Sequence, residues 1–300
     1  WAGLMGKRLK SPRFLAIVRA GKNSLHPSFA ADLPSRNYDL FVFAYHEDVP
    51  KPPRATDHYL LHPGEKIASY AWLFQERPDL FEAYDIIALL DDDLATDIET
   101  LSTCFDIGYA YDLNLWQPSL TRDSYFSYAA FLQNPGFKLR YTNFVEMMCP
   151  FMTSETLSRA APFLGMGYVT GPDLIWSRLH QENEYKSAII DAVSVKHTRD
   201  VGHTIGIETD GEVSSYDDIT NAFLNEVGET FSGNVVYAGI TRSGKPVRGR
   251  MSIALRTLGL FQGLVSTPHP KRYYAHHVLA SLNHILRRPI ALDPLPTVAR

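Results

Sequence analysis

The sequence predicts an α/β protein with a mostly parallel central sheet flanked by helices and a basic, partly helical C-terminal extension. Three observations lead there. Short apolar runs rich in β-branched and aromatic residues recur at 14–18, 40–44 and 84–90, a helical pattern separates the second from the third, and the charge of residues 241–300 is opposite in sign to that of the rest.

Phe14-Leu15-Ala16-Ile17-Val18 is continuously apolar and runs into Gly21-Lys22-Asn23-Ser24, the pattern of a strand buried on both faces and the loop that follows it. Leu40-Phe41-Val42-Phe43-Ala44 repeats the pattern. Between Gly64 and Glu76 the residues Ile67, Tyr70, Ala71 and Phe74 recur at helical spacing, and Pro78 closes the helix. The third run ends in Asp91-Asp92-Asp93. Such an alternation of strands and helix makes a parallel sheet, whose ligands bind at the carboxyl ends of the strands. Farther on, 97–110 reads as a helix, Asn114 to Pro118 as a strand, and 121–140 as a loop rich in Tyr, Phe, Gly and Pro. Thr142 to Met152 is apolar around one acid, Glu146, and Thr153-Ser154-Glu155-Thr156 opens a helix. Gly171-Pro172-Asp173 puts Asp173 at or near a helix N-terminus, where it is also a candidate cap. Ser187 to Val195 is a last buried strand leading to His197, Glu208 to Asp218 reads as a loop, and 251–264 and 273–288 read as helices. The expected division is a catalytic-type domain over 1–230 and the extension over 231–300.

With 45% hydrophobic residues in 300, the chain can bury a large core, which excludes a mainly disordered protein. It has no run of about 18 to 20 apolar residues and no signal-peptide centre near its start, so it reads as soluble and cytoplasmic. Because it begins at Trp1, an N-terminal anchor upstream stays open. Cys104 and Cys149 stand alone, without zinc-site spacing, and read as buried thiols in a reducing compartment. Net charge is −4, but residues 241–300 hold ten Lys or Arg against Asp293 alone, about +9 beside about −13 for the remainder. Three roles fit this segment: packing on the acidic body, contact with an acidic acceptor, or peripheral contact with an anionic membrane. An acidic body without a recognised binding motif speaks against nucleic acid.

Aspartate has low helix and strand propensity, so three in succession after an apolar strand are poorly explained by folding. Their mutual repulsion is relieved by a cation, and Mg²⁺ or Mn²⁺ prefers carboxylate oxygen together with substrate phosphates. Asp91 and Asp93 share one aspect of the strand end, with Asp92 turned toward a ribose or a water. Two other readings exist. One is a solvated acidic turn. The other is the phosphatase-type Asp-x-Asp, which normally lies close to the N-terminus with Thr or Val four residues on, where this chain has Ala95.

The strand ending in Asp91-Asp92-Asp93-Leu94 resembles the DxD motif of GT-A glycosyltransferases, which have a Rossmann-like fold. The chain is also similar to a plant-abundant family known as domain of unknown function 707. Members of that family carry Asp-Glu-Asp-Leu, a Gln-Pro-(Ser/Ala)-Leu strand, a Val-Glu-Met-Met-(Ala)-Pro segment and a Gly-x-Asp turn. Asp91 to Leu94, Gln117-Pro118-Ser119-Leu120, Phe144 to Pro150 and Gly171-Pro172-Asp173 follow in that order, and the match covers roughly 38–205. The departures are Asp92 for the middle Glu and Cys149 for Ala.

The resemblance implies a sugar transferred from a nucleotide-diphosphate donor, UDP-linked in most DxD enzymes, to a saccharide or glycoconjugate acceptor. It implies Mn²⁺ or Mg²⁺ bound by Asp93 with Asp91, contacts from Asp91 and Asp92 to diphosphate or ribose, and His197 completing the metal shell, with His203 as the competing choice. Asp173 corresponds to the base of inverting enzymes. Glu146, a carboxylate among Val145, Met147 and Met148, is a second candidate for base or acceptor contact unless Arg140 or Arg178 pairs with it. Arg19 and Lys22 are placed beside the nucleotide, and Lys66 near phosphate. Lys196 and Arg199 are candidate diphosphate contacts. Tyr125, Phe126, Tyr128 and Phe131 form either a sugar-stacking surface or core. The competing functions are a HAD-like phosphatase or nucleotidyl enzyme using Asp91 and Asp93, and a catalytically silent carbohydrate-binding module of the same fold.

Overall fold

The computed structural model describes residues 11–179, 185–200, 207–209, 212–231, 233–290 and 292–293. Along the chain run β1 (Phe14–Ala20), α1 (Pro27–Ala30), β2 (Asp39–Ala44), β3 (His58–Leu61), α2 (Lys66–Glu76), α3 (Asp79–Ala83), β4 (Ile86–Asp91), β5 (Leu94–Ala95), α4 (Ile98–Ala110) and β6 (Leu115–Leu120). They continue with β7 (Leu139–Thr142), β8 (Phe151–Thr153), α5 (Ser154–Leu164), β9 (Ser187–His197), β10 (Ile207–Thr209), β11 (Glu212–Ser214), α6 (Tyr216–Glu226), β12 (Val236–Ile240), β13 (Pro246–Arg248), α7 (Arg250–Thr257) and α8 (Lys271–Arg287).

Because β1 is buried along its whole length, it takes a central place between β2 and β4, both parallel to it. The main sheet has the order β13-β12-β7-β9-β6-β8-β4-β1-β2-β3. Strands β1, β2, β3, β4, β6, β9 and β12 point one way, and β5, which pairs with β9 beside this path, β7, β8 and β13 run against them. Alternate side chains divide the core in two, as the period of a strand requires. Phe14, Ala16 and Val18 face α4 and the C-terminal helices, while Leu15 and Ile17 face α2, α5 and α6. The sheet is therefore covered by helices on both faces, which is why its central strands read as unbroken apolar runs.

Contact between α4 and β6 is closest at Gly108, where a Cβ would lie 2.1 Å from the Trp116 ring. The same indole donates to the Cys104 carbonyl at 3.1 Å. Cys104 and Cys149 are both buried free thiols.

Three parts of the fold differ from the sequence reading. The segment expected as a basic, partly helical extension begins not with a helix but with β12 and β13, which join the main sheet through β7. The polar stretch expected as a loop holds the hairpin β10–β11 and the start of α6, whose Ser215 and Asp218 form a capping box. Hydrophobicity hid both, although Asp210-Gly211 is a hairpin signal in the sequence. Finally, the expected helix after Asp173 is two short 3₁₀ turns, Pro172–Leu174 and Trp176–Arg178.

A buried ion pair ties β7 to β9. Arg140 Nε and Nη2 donate to Asp191 at 2.7 and 2.9 Å, and the remaining donors reach the carbonyls of Ala130 and Leu132. Arg140→Ala would leave the Asp191 carboxylate buried and uncompensated. A loss of about 3 to 5 kcal/mol is expected, read as a lower urea midpoint. An unchanged midpoint would mean that the pair is not what holds these strands.

Candidate active site

The carboxyl end of β4 delivers the three aspartates to the edge of the sheet, and each meets a different basic side chain. Asp91 receives Lys66 Nζ at 2.9 and 3.1 Å. Lys66 is there because Glu65 caps α2 by accepting from Ala68 N, which sets Lys66 in the first turn. Asp92 points back toward β1: its Oδ2 accepts from Gly21 N at 2.8 Å and Tyr45 Oη at 3.0 Å, and its Oδ1 from Arg199 at 3.1 Å. Asp93 lies 3.1 Å through Oδ2 from His197 Nε2, brought close by the pairing of β5 with the end of β9.

Two cavities meet at the Lys66–Asp91 pair, which lines both. The one on the β1 side, about 300 Å³, is bounded by Arg19, Tyr45, Gly64, Asp92 and Asp93. The other, about 250 Å³, is bounded by Glu146, Met147, Thr170, Asp173, His197 and Tyr216 among others.

Asp93 and His197 have the chemistry of a metal site. His197 Nδ1 faces the Tyr125 carbonyl at 3.3 Å, so a proton on Nδ1 leaves Nε2 as a lone pair aimed at a carboxylate oxygen. Two acceptors face each other stably only with a proton or a metal ion between them. Burial lowers the His197 pKa, but Asp93, with Asp91 behind it, outweighs that and holds it above the ordinary value. For Asp93, burial acts upward and the His197 contact wins, holding the carboxyl below its usual range. The second Asp93 oxygen, Oδ1, is buried without a hydrogen-bond partner. Adjacent ligands of an octahedral ion with bonds of about 2.1 Å stand about 3.0 Å apart. Among the described residues no three His, Cys, Asp or Glu form a ready-made cage. The residues present thus fit an ion held by two side chains, with substrate oxygens and water completing its shell.

Beside the second cavity, which Asp173 lines, Gly171 adopts φ +107°, and a Cβ there would also press on Phe223 at 2.8 Å. That turn presents Asp173 inside a 3₁₀ turn and not as a cap; its Oδ2 accepts from Met147 N at 3.2 Å. Burial pushes the Asp173 carboxyl up to about 6, against the lowering effect of Met147 N–H and Lys66. Burial likewise pushes Glu146 up to about 7, with Asp173 adding to the rise and a hydrogen bond from Ser127 opposing it. Neither expected arginine pairs with Glu146. Arg140 is held by Asp191 and Arg178 by Glu229, and Glu146 Oε2 has no partner.

No family model matches the chain, so membership of domain of unknown function 707 is not shown, and no curated protein matches it. Among solved structures, S. aureus TarS 1–349 superposes with a TM-score of 0.38 at 7% identity, over 92% of this chain and 72% of TarS. Its complex with UDP gives 0.37 at 7% over 91% and 71%. Its complex with UDP-GlcNAc gives 0.41 at 9% over 92% and 73%. Superposition this loose assigns neither a family nor an activity.

The sequence-derived residues separate clearly in space. His197, Glu146 and Asp173 line the second cavity, Asp92, Asp93 and Arg19 line the first, and Lys66 and Asp91 line both. Arg19 serves mainly as scaffold there, donating to the carbonyls of Phe43, His62 and Gly64 and to Ser69. Lys22 is brought to neither cavity; it is exposed and paired with Asp48 at 3.3 Å. Lys196 turns to Asp123, whereas Arg199 reaches Asp92. His203 lies outside the described residues. Phe126 and Phe131 are fully buried, and Phe126 packs on His269 and Tyr274, so these two rings are core. Tyr45 was missed, although it directly follows the carboxyl end of β2, where a parallel sheet binds ligands. Asp200 and Tyr216 were missed as well, and nothing in their local sequence marks them.

Proposed function

We propose that this chain is a metal-dependent glycosyltransferase that moves a sugar from a nucleotide-diphosphate donor, UDP-linked by preference, to a hydroxyl of a saccharide or glycoconjugate, with inversion. The observation that carries this reading is that one cavity is lined both by the raised carboxyl of Asp173 and by His197, whose Nε2 meets Asp93 of the adjoining cavity.

In this reading the donor's nucleoside occupies the first cavity, where Asp92 and Tyr45 meet the ribose side. Asp93 and His197 would hold Mn²⁺ or Mg²⁺, which would supply positive charge to the leaving diphosphate. Lys66 and Arg199 add fixed positive charge beside it. Asp173 accepts the proton of the acceptor hydroxyl as its oxygen attacks the anomeric carbon and the bond to the diphosphate breaks. Glu146 orients the acceptor through its free oxygen.

The test is a screen of nucleotide sugars with and without Mn²⁺, following nucleoside diphosphate. Metal-dependent release from at least one donor is expected. Release of inorganic phosphate from a phosphoester would favour the phosphatase, and sugar binding without any turnover would favour a silent binding module; either result removes this proposal.

A further inference from the structure

We infer that the C-terminal helical hairpin, residues 250–288, docks this protein on an anionic lipid bilayer. This does not rest on the reaction proposed above. About one residue in nine of the chain is acidic, yet from 230 to 292 there is no Asp or Glu. Over the same stretch Lys245, Arg248, Lys271, Arg272, Arg287 and Arg288 are all exposed. None of the six forms an ion pair with a described carboxylate.

Charge alone would suit any polyanion; the apolar side chains decide between them. Along α7 and at the residue that ends it, Met251, Leu255 and Leu258 recur at four- and three-residue steps and are all exposed. On α8, Leu279 and Leu286 lie two turns apart and are exposed too, and Val265, between the helices, is 92% exposed. These residues are not a core awaiting a better fit. Ile253, Leu260, Tyr274, Val278 and Ile285 already bury the inner face of both helices against the sheet.

The pair is also rigidly built. Arg250 donates to the carbonyls of Ile285 and Arg288, which sets the start of α7 beside the end of α8. Tyr274 Oη donates to the Leu260 carbonyl at the opposite end. The helices are therefore antiparallel neighbours that carry exposed aliphatic side chains and exposed cations, with no Asp or Glu of their own. A soluble acidic polymer has no use for exposed leucines, whereas a bilayer takes both: headgroups meet the cations and the acyl boundary takes the aliphatic groups. Packing of the basic segment on the acidic body explains the inner face and leaves this outer one unaccounted for. The hairpin reaches the catalytic side through one loop, since Phe126 packs on His269 and the adjacent Tyr125 carbonyl faces His197.

The test is co-sedimentation of the full chain with phosphatidylcholine vesicles, with and without phosphatidylglycerol. Binding to the anionic vesicles alone is expected, weakening from about 0.1 M to about 1 M salt as the screening length falls from about 10 to about 3 Å. Each Lys or Arg near such a surface contributes about fivefold. The double variant Lys271→Glu, Arg272→Glu should therefore bind more than about tenfold more weakly. Leu255→Ser with Leu258→Ser should lose several-fold at unchanged charge. All four positions are exposed, so thermal midpoints should stay at the parent value and separate lost docking from lost folding. Equal binding to neutral vesicles, or none to anionic ones, overturns the inference. So does loss in the charge variant with full binding in the leucine variant, which would give the surface to a soluble polyanion.

Discussion

Asp93→Ala is expected to lower nucleotide-sugar turnover by about a thousandfold while leaving the protein folded. Asp93 supplies the one buried carboxylate oxygen at the end of β4 without a partner, and its other oxygen faces His197 across 3.1 Å. Under the proposed reading, removing the carboxylate would take away half of the protein's hold on the ion and leave the charge developing on the diphosphate unmatched. Donor recognition on the other side should survive, because Asp92 keeps its contacts with Gly21 and Tyr45. His197→Ala should behave similarly. Residues that serve one ion act as a unit, so the double variant should be scarcely worse than either single one. Steady-state release of nucleoside diphosphate over a Mn²⁺ titration measures this. Activity within a few-fold of the parent, or two losses that multiply, would show that Asp93 and His197 do not share an ion.

The central sheet was legible in the sequence because β1, β2 and β4 are buried on both faces and so appear as unbroken apolar runs. The aspartates were legible for the converse reason: three charges at the end of such a run are poorly explained by strand or helix propensity. Strands with weaker burial were not. β3 is four residues and only partly buried, and β13 alternates exposed with buried. β12 is apolar but carries Gly239, whose missing Cβ makes room for Phe137, 2.7 Å from where that atom would stand. At the site, sequence order brought Glu146, Asp173 and His197 into consideration but left their partners open. That Lys66 closes on Asp91, or that Arg140 and Arg178 are already engaged by Asp191 and Glu229, depends on contacts between distant segments. Lys22 shows the limit of arguing from position after a strand, for its long side chain finds Asp48 and water instead of the cavity.

Asp173→Asn should separate function from stability in opposite directions. A proton acceptor contributes about a hundred- to ten-thousandfold to a transfer, so turnover should fall by that much, with the donor KM nearly unchanged because Asp173 lines only the second cavity. In the parent, kcat/KM should rise with pH through about 6, where the carboxyl loses its proton, and the variant should lack that limb. If Glu146 were the base, the limb would lie near 7 and survive the Asp173 change. Stability runs the other way. Burial raises the Asp173 pKa from 3.8 to about 6, so between those values the folded chain binds more protons than the unfolded one and stability declines as pH rises. The penalty is absent below about 4 and complete above about 6, where it amounts to about 3 kcal/mol. Asparagine carries no charge and its oxygen can still accept from Met147 N–H. The variant should therefore have the higher urea midpoint at pH 7.5 and an equal one at pH 3.5. A catalytic carboxylate held where it weakens the fold explains both results, since the dry surroundings that destabilise its charge make it a stronger base. Equal midpoints at both pH values would mean that the carboxyl is hydrated in solution, and with that the case for Asp173 as the base would fail.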